Sequence, residues 1–268
     1  MAELHVTSPS NPRLRGVIAL RRRRIREQQG LTVVDGYEEL SLALDAGVVP
    51  HSMLHCPELM LAPSRQGGLV QRARDLGVTT IRLSRPAFER VAYREGPDGF
   101  LAVVPVAGVG LDDLELPADP LVLVCEGVEK PGNLGAVLRT ADAAGVSAVV
   151  AADPATDWGN PNVVRSSKGT VFSVPVASAT TEEVLGWLRR NGIRLLATTP
   201  GAETVHTAVD YRGAVALAVG TEKEGLSPRA LEASERRVRI PMVGRVNSLN
   251  AATAAAVVVY EAVRQRSG

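Results

Sequence analysis

The sequence predicts an α/β protein in which a mainly parallel sheet fills the C-terminal half and a smaller α/β domain precedes it. Three observations carry this. Apolar runs of strand length alternate with helix-period segments in both halves. Ala107–Pro120, rich in glycine, proline and acids, interrupts the alternation as a linker would. With 268 residues, 45% hydrophobic and 22% charged, the chain can build two packed cores and is not expected to be disordered or fibrous.

The elements follow in order. Residues 1–30 read as a basic arm, with Arg13, Arg15, Arg21, Arg22, Arg23, Arg24 and Arg26 set against only Glu3 and Glu27. Such a stretch attracts phosphates, or it is the solvated face of a helix. Residues 31–106 read as a compact domain with strands at Leu31–Asp35, Val78–Leu83 and Phe100–Val106. Its helices are expected around Tyr37–Ala46, closed by Gly47, and at Leu69–Leu76 and Pro86–Arg94. After the linker, 107–120, the second domain spans 121–268. Leu121–Cys125 suits a strand buried on both faces. Then come a helix Leu134–Ala144, a strand Val146–Ala151, a short helix opened by Pro161 and a strand Thr170–Val176. Thr180 and Glu183 have the spacing of a capping box ahead of a helix ending near Asn191-Gly192. Strands Ile193–Thr198, Ala214–Val219 and Val238–Met242 precede a last helix from Leu249 to about Gln265.

Composition excludes several chemistries. Cys56 and Cys125 lie far apart, which removes a disulfide framework and any zinc site built on cysteine pairs. Apolar runs fall short of the roughly 18 residues of a membrane span, and Val17–Leu20 runs straight into arginine without a signal-peptide pattern, so a cytoplasmic protein is expected. At 3%, aromatics are too scarce for single-strand binding through stacked rings. G-x-S-x-G, H-E-x-x-H and G-x-G-x-x-G motifs are missing. His51, His55 and Cys56 cluster without a second ligand group, and His206 is remote from the glycine-rich junctions, so neither a metal nor a histidine base is expected.

Polar and glycine residues concentrate at three strand-to-loop junctions. In Glu129-Lys130-Pro131-Gly132-Asn133-Leu134-Gly135, Gly132 and Gly135 share a helix face with Arg139 and let a bulky ligand reach its guanidinium. A plain tight turn capped by Asn133 is the alternative. Gly220-Thr221-Glu222-Lys223-Glu224-Gly225-Leu226-Ser227 resembles a phosphate loop, but Leu226 stands where its lysine is required. Ser248 in Asn247-Ser248-Leu249-Asn250 suits an N-cap, and Ala251–Ala256 lets another backbone approach closely.

In order and spacing, Asn133-Leu134-Gly135-x-x-x-Arg139-Thr140, Gly220-x-Glu222-x-x-Gly225-Leu226 and Ile240-Pro241-Met242 with Ser248-Leu249-Asn250 closely resemble the three motifs of the SpoU family. That family, within the SPOUT superfamily, comprises S-adenosylmethionine-dependent RNA 2′-O-ribose methyltransferases. The likeness spans roughly Leu121–Arg264 and includes Asn160-Pro161-x-Val163-Val164-Arg165-x-Ser167-x-Gly169. It implies a deep trefoil knot in the C-terminal sheet, a homodimer, and a first half similar to ribosomal proteins that grip RNA. It implies cofactor contacts at Thr198, Thr199, Gly220, Ile240, Met242, Ser248, Leu249 and Asn250. The acceptor is implied near Asn133, Arg139, Glu222, Ser248 and Asn250, so RNA contacts are expected at Arg139 and, from the charge of the basic arm, at Arg21–Arg24. Lys130 departs from the Asp that family members often carry there, and Ala251 from Val.

Such extended members methylate ribosomal RNA, including those conferring resistance to thiostrepton or avilamycin, so 23S ribosomal RNA is the expected substrate. Transfer RNA is the alternative, then an RNA binder that keeps the fold without catalysis; a dinucleotide oxidoreductase is the distant third. Guanidinium groups are poor bases near neutrality, so Arg139 is expected to position ribose and phosphate while deprotonation is concerted or indirect.

Overall fold

The structure, a computed structural model, describes residues 4–267, so residues 1–3 of the expected arm and residue 268 of the second domain lie outside it. The chain forms two compact units. The first holds everything described up to Ala107 together with Asp157–Ser173. It begins with β1 (Leu4–Val6), α1 (Pro12–Ala19) and α2 (Arg23–Gln29). These are followed by β2 (Leu31–Asp35), α3 (Tyr37–Asp45), β3 (Ser52–His55), α4 (Pro63–Asp75), β4 (Thr79–Leu83), α5 (Arg85–Val91) and β5 (Phe100–Pro105). The sheet order is β1-β4-β3-β5-β2, parallel through β1, β4 and β3 and antiparallel at β5. β1 and β3 escape the sequence reading because they are short and lack a clear alternation, and α4 opens earlier than its apolar residues suggest, at Pro63.

The expected arm is folded into this unit. Asn11 caps α1 by accepting from the Arg13 backbone N–H at 3.0 Å, and Gly30, in the left-handed region, ends α2. Leu14, Val17, Ile18, Leu20 and Ile25, interleaved with the arginines, pack on the same core as Leu54, Leu83, Phe88 and Leu101. Two arginines are thereby committed to structure. Arg21 donates to the carbonyls of Val91 and Ala92, 3.1 and 2.7 Å away, and lies over the Tyr93 ring. Buried Arg26 donates to the carbonyls of Leu20 and Arg21 and makes a two-pronged pair with Asp157 at 2.6 and 3.1 Å. Arg23 pairs with Glu27, while Arg22 and Arg24 are exposed.

The second unit starts before the strand the sequence puts first. Val109 bridges to Ala177, and Leu111, Leu114 and Leu116 pack on its core, so the linker-like segment is docked. β6 (Leu121–Glu126), α6 (Pro131–Ala144) and β7 (Ala148–Ala152) follow. α7 (Pro161–Ser166) and a short 3₁₀ turn then belong to the first unit. There a side chain on Gly169, at φ +84°, would strike the Glu39 carbonyl at 2.8 Å. The strand expected over Thr170–Val176 is therefore a 3₁₀ turn, Thr170–Phe172, followed by β8 (Val176–Ala179). The chain continues through α8 (Thr181–Arg190), β9 (Arg194–Thr198), β10 (Thr204–Val205), β11 (Val215–Val219), α9 (Pro228–Ala233), β12 (Arg236–Arg239) and α10 (Ala251–Arg266). The seven strands run parallel in the order β10-β12-β9-β11-β6-β7-β8. The last strand stops short of the expected Val238–Met242 because Pro241 has no N–H for a ladder. α10 lies against α6 and β11. Among the described residues no helix is long and apolar enough to cross a membrane.

Candidate active site

In a parallel sheet the free loops beyond the carboxyl ends of the strands are where ligands bind. In the second unit these loops enclose a cavity of about 330 Å³. Its walls are the ends of β9 (Thr198, Thr199), the turn after β11 (Gly220–Gly225), the segment after β12 (Ile240, Met242, Ser248, Leu249) and the start of α10 (Ala251, Ala254). Seven of the eight residues expected to bind cofactor line it; Asn250 does not.

Gly220 has a steric reason to be glycine. A Cβ there would lie 2.1 Å from the carbonyl carbon and oxygen of Gly225 and 2.3 Å from the Leu226 nitrogen. The turn closes that tightly because Thr221 and Gly225 exchange backbone hydrogen bonds of 3.0 and 3.1 Å, with Gly225 at φ +72°. The buried Glu126 carboxylate holds the exit, accepting from the Ser227 backbone N–H and hydroxyl at 2.7 Å and from the Thr181 hydroxyl at 2.9 Å. These residues fit an adenosine-type ligand. The Thr198 hydroxyl is buried with no hydrogen-bond partner among the described residues, Gly220 leaves backbone exposed to close approach, and Ile240, Met242 and Leu249 offer apolar faces.

A second cavity of about 230 Å³ shares the Gly220–Glu224 segment and Ala251 with the first and is lined besides by Val128, Glu129, Lys130 and Asn133. Here α6 and α10 bring three expected residues together. The Asn133 amide donates to Glu222 Oε1 at 3.1 Å, and the Asn250 amide donates to the same oxygen at 2.5 Å and to Asn133 Oδ1 at 3.0 Å. Asn250, in place of Ser248, is the N-cap of α10, its Oδ1 accepting from the backbone of Ala252 and Thr253. Lys130 Nζ closes the cluster on Glu222 Oε2. The Lys130 ammonium first, then the Asn133 and Asn250 amides, hold the Glu222 carboxyl below the usual carboxylate range. A carboxylate so stabilised orients a donor better than it removes a proton.

Arg139 is exposed on α6 and belongs to the lining of neither cavity. Arg21–Arg24 lie in the first unit, and Arg21 and Arg23 already have partners. Asn247 and Ala254, which stand in the third junction and in the alanine run behind it, line the larger cavity, whereas two residues carry no signal in the sequence: Val128, just beyond the end of β6, and Glu126, whose role no local pattern marks. His55 and Cys56 are buried in the first unit, and no group of three or more His, Cys, Asp or Glu fit to hold a metal occurs among the described residues.

Comparison with known proteins gives this arrangement its context. The SpoU rRNA Methylase family matches residues 120–260, and the MRM3-like substrate binding domain matches residues 11–102. The chain is 34% identical to the 23S rRNA (guanosine-2'-O-)-methyltransferase RlmB of Ralstonia nicotianae, over 76% of this chain and 84% of that protein. A crystal structure of an RNA 2'-O ribose methyltransferase superposes with a TM-score of 0.84 at 37% identity, covering 99% of this chain and 100% of that one. The SpoU methyltransferase AviRb from Streptomyces viridochromogenes, in complex with AdoMet, superposes with a TM-score of 0.84 at 31% identity, covering 96% and 100%.

Proposed function

Because the chain belongs to the SpoU rRNA methylase family, we propose that it methylates a ribose 2′-hydroxyl of RNA with S-adenosylmethionine, and that its substrate is 23S ribosomal RNA. The observation that carries this reading is the shared wall. The turn Gly220–Gly225 lines a nucleoside-sized cavity and also carries Glu222 of the Asn133–Glu222–Asn250 cluster. Incubation with methyl-labelled S-adenosylmethionine and bulk RNA tests it. Label in the ribose of 23S RNA is expected. Label confined to transfer RNA would move the substrate, and no transfer at all would leave an RNA binder. The same RNA substrate puts the protein in the cytoplasm.

When bound, the cofactor supplies an electrophilic sulfonium methyl group. The rest falls to this chain. Thr198, Thr199, Gly220, Ile240, Met242, Ser248 and Leu249 would hold the nucleoside portion. Asn133, Glu222 and Asn250 would fix the acceptor ribose by hydrogen bonds. Arg139 would hold the adjacent phosphate with its planar fork, a task lysine performs poorly. In single-turnover assays at saturating RNA, Arg139→Lys should therefore lose on the order of 100-fold in rate, nearly as much as Arg139→Ala, with cofactor affinity unchanged. A lysine variant near wild-type rate would sink the fork geometry.

We assign RNA gripping to the first unit, on its resemblance to a substrate-binding domain and its exposed Arg22 and Arg24. Arg22→Ser with Arg24→Ser should flatten the dependence of RNA affinity on salt, since each lost phosphate contact removes about 0.7 from the logarithmic slope. An unaltered slope would mean that both are merely solvated. A homodimer and the trefoil knot complete the proposal. β11 and β12, the last strands in the chain, flank β9, and sedimentation at twice 28.3 kDa is expected.

A further inference from the structure

Of the 30 basic residues in this chain only Lys130, Lys168 and Lys223 are lysines. Lys168 pairs with Glu38 in the first unit, and the other two line the same 230 Å³ cavity. A chain that uses arginine almost everywhere places two of its three lysines at this cavity, where a compact ammonium and a planar fork have different consequences.

The Glu222 carboxylate divides its oxygens. Oε2 faces the Lys130 ammonium, and Oε1 accepts from both Asn133 and Asn250. Lys130 is also the residue from which α6 starts, its carbonyl accepting from the Asn133 backbone N–H at 3.0 Å. One residue thus ties the opening of α6 to the turn after β11 and, through Asn250, to the opening of α10. A guanidinium in its place would span both carboxylate oxygens and compete with the two amides for Oε1. The other charged groups around the cavity are Glu129, Lys223 and Glu224, so without Lys130 three acids face a polyanionic substrate with one cation among them.

We propose that Lys130 is a positioning residue for the acceptor nucleotide: its ammonium takes one oxygen of Glu222 so that the other can align Asn133 and Asn250, and it offsets the Glu222 charge against the RNA backbone. This rests on the methyl-transfer reading and extends it to a residue to which that reading gives no role.

The test compares Lys130→Met and Lys130→Arg with wild type in single-turnover methylation of RNA across pH, beside calorimetric cofactor binding. Lys130→Met should lose on the order of 10- to 100-fold in rate. The acid limb of its profile should move to higher pH, because Glu222 loses the partner that keeps it ionised and protonates sooner as pH falls. Lys130→Arg should keep the wild-type acid limb and RNA KM yet lose rate comparably, and cofactor affinity should hold in both. A Lys130→Met enzyme at wild-type rate, an acid limb that stays put, or a Lys130→Arg enzyme at wild-type rate would each overturn the assignment. Should wild type methylate no RNA, the functional reading fails by itself. The Lys130 contact is then decided by ¹³C NMR titration of Glu222 without RNA, where an unchanged midpoint in Lys130→Met would refute it.

Discussion

Gly220→Ala should lose cofactor affinity by on the order of 100-fold or more in calorimetry, the equivalent of about 3 kcal/mol. Overpacking in a core that can adjust costs about 1–3 kcal/mol. Here the atoms that the new methyl group would strike, 2.1–2.3 Å away, are main chain of Gly225 and Leu226, and the paired Thr221 and Gly225 hold them in place. The turn must open, and it forms one wall of the 330 Å³ cavity proposed to hold the cofactor. Gly132→Ala is the matched control, since a Cβ at Gly132 meets nothing within 4 Å, and it should bind cofactor as wild type does. Equal affinity for Gly220→Ala would mean that the turn is not part of the cofactor site.

Arg26→Met should destabilise the first unit by about 3–5 kcal/mol in urea unfolding while leaving cofactor binding in the second unit intact. The methionine fills similar volume, so the loss is electrostatic. Arg26 is 3% exposed and its partner Asp157 18%, and the variant strands that carboxylate and the Leu20 and Arg21 carbonyls without their donor. Replacing Asp157 by leucine in the Arg26→Met background should recover part of the loss, because the uncompensated charge goes with it. A single variant within about 0.5 kcal/mol of wild type would show that the pair does not hold Asp157–Ser173 in this unit.

The Arg26 result separates arginines that the sequence groups together. Seven basic residues near the N-terminus read as one phosphate-seeking arm, yet Arg26 is an interior strut and Arg21 closes the end of α5. Neither role leaves a local signature. The charge pattern is the same whether a guanidinium meets solvent, a nucleic acid or a buried carboxylate.

What the sequence determined by itself is whatever depends on neighbours a few residues away. The apolar runs of β6, β9 and β11 form strands where their composition requires burial on both faces. Thr180 and Glu183 form the reciprocal cap that their spacing specifies, Glu183 accepting from the Thr180 backbone N–H at 2.8 Å. The order and spacing of the three motifs pointed to the family before any contact was visible. Only the tertiary structure decided which of these pieces meet. It moved Asp157–Ser173 into the first unit, left Arg139 outside both cavities, and set Lys130 on Glu222 across 92 residues and Arg26 on Asp157 across 131. For Arg26 the physical reason is desolvation, whereas the exposed Lys130 meets Glu222 because the fold brings the start of α6 beside the turn after β11. A charged group withdrawn from water needs a partner, and that partner is supplied by whichever strand or loop the fold stacks beside it, at a sequence separation that no local periodicity encodes.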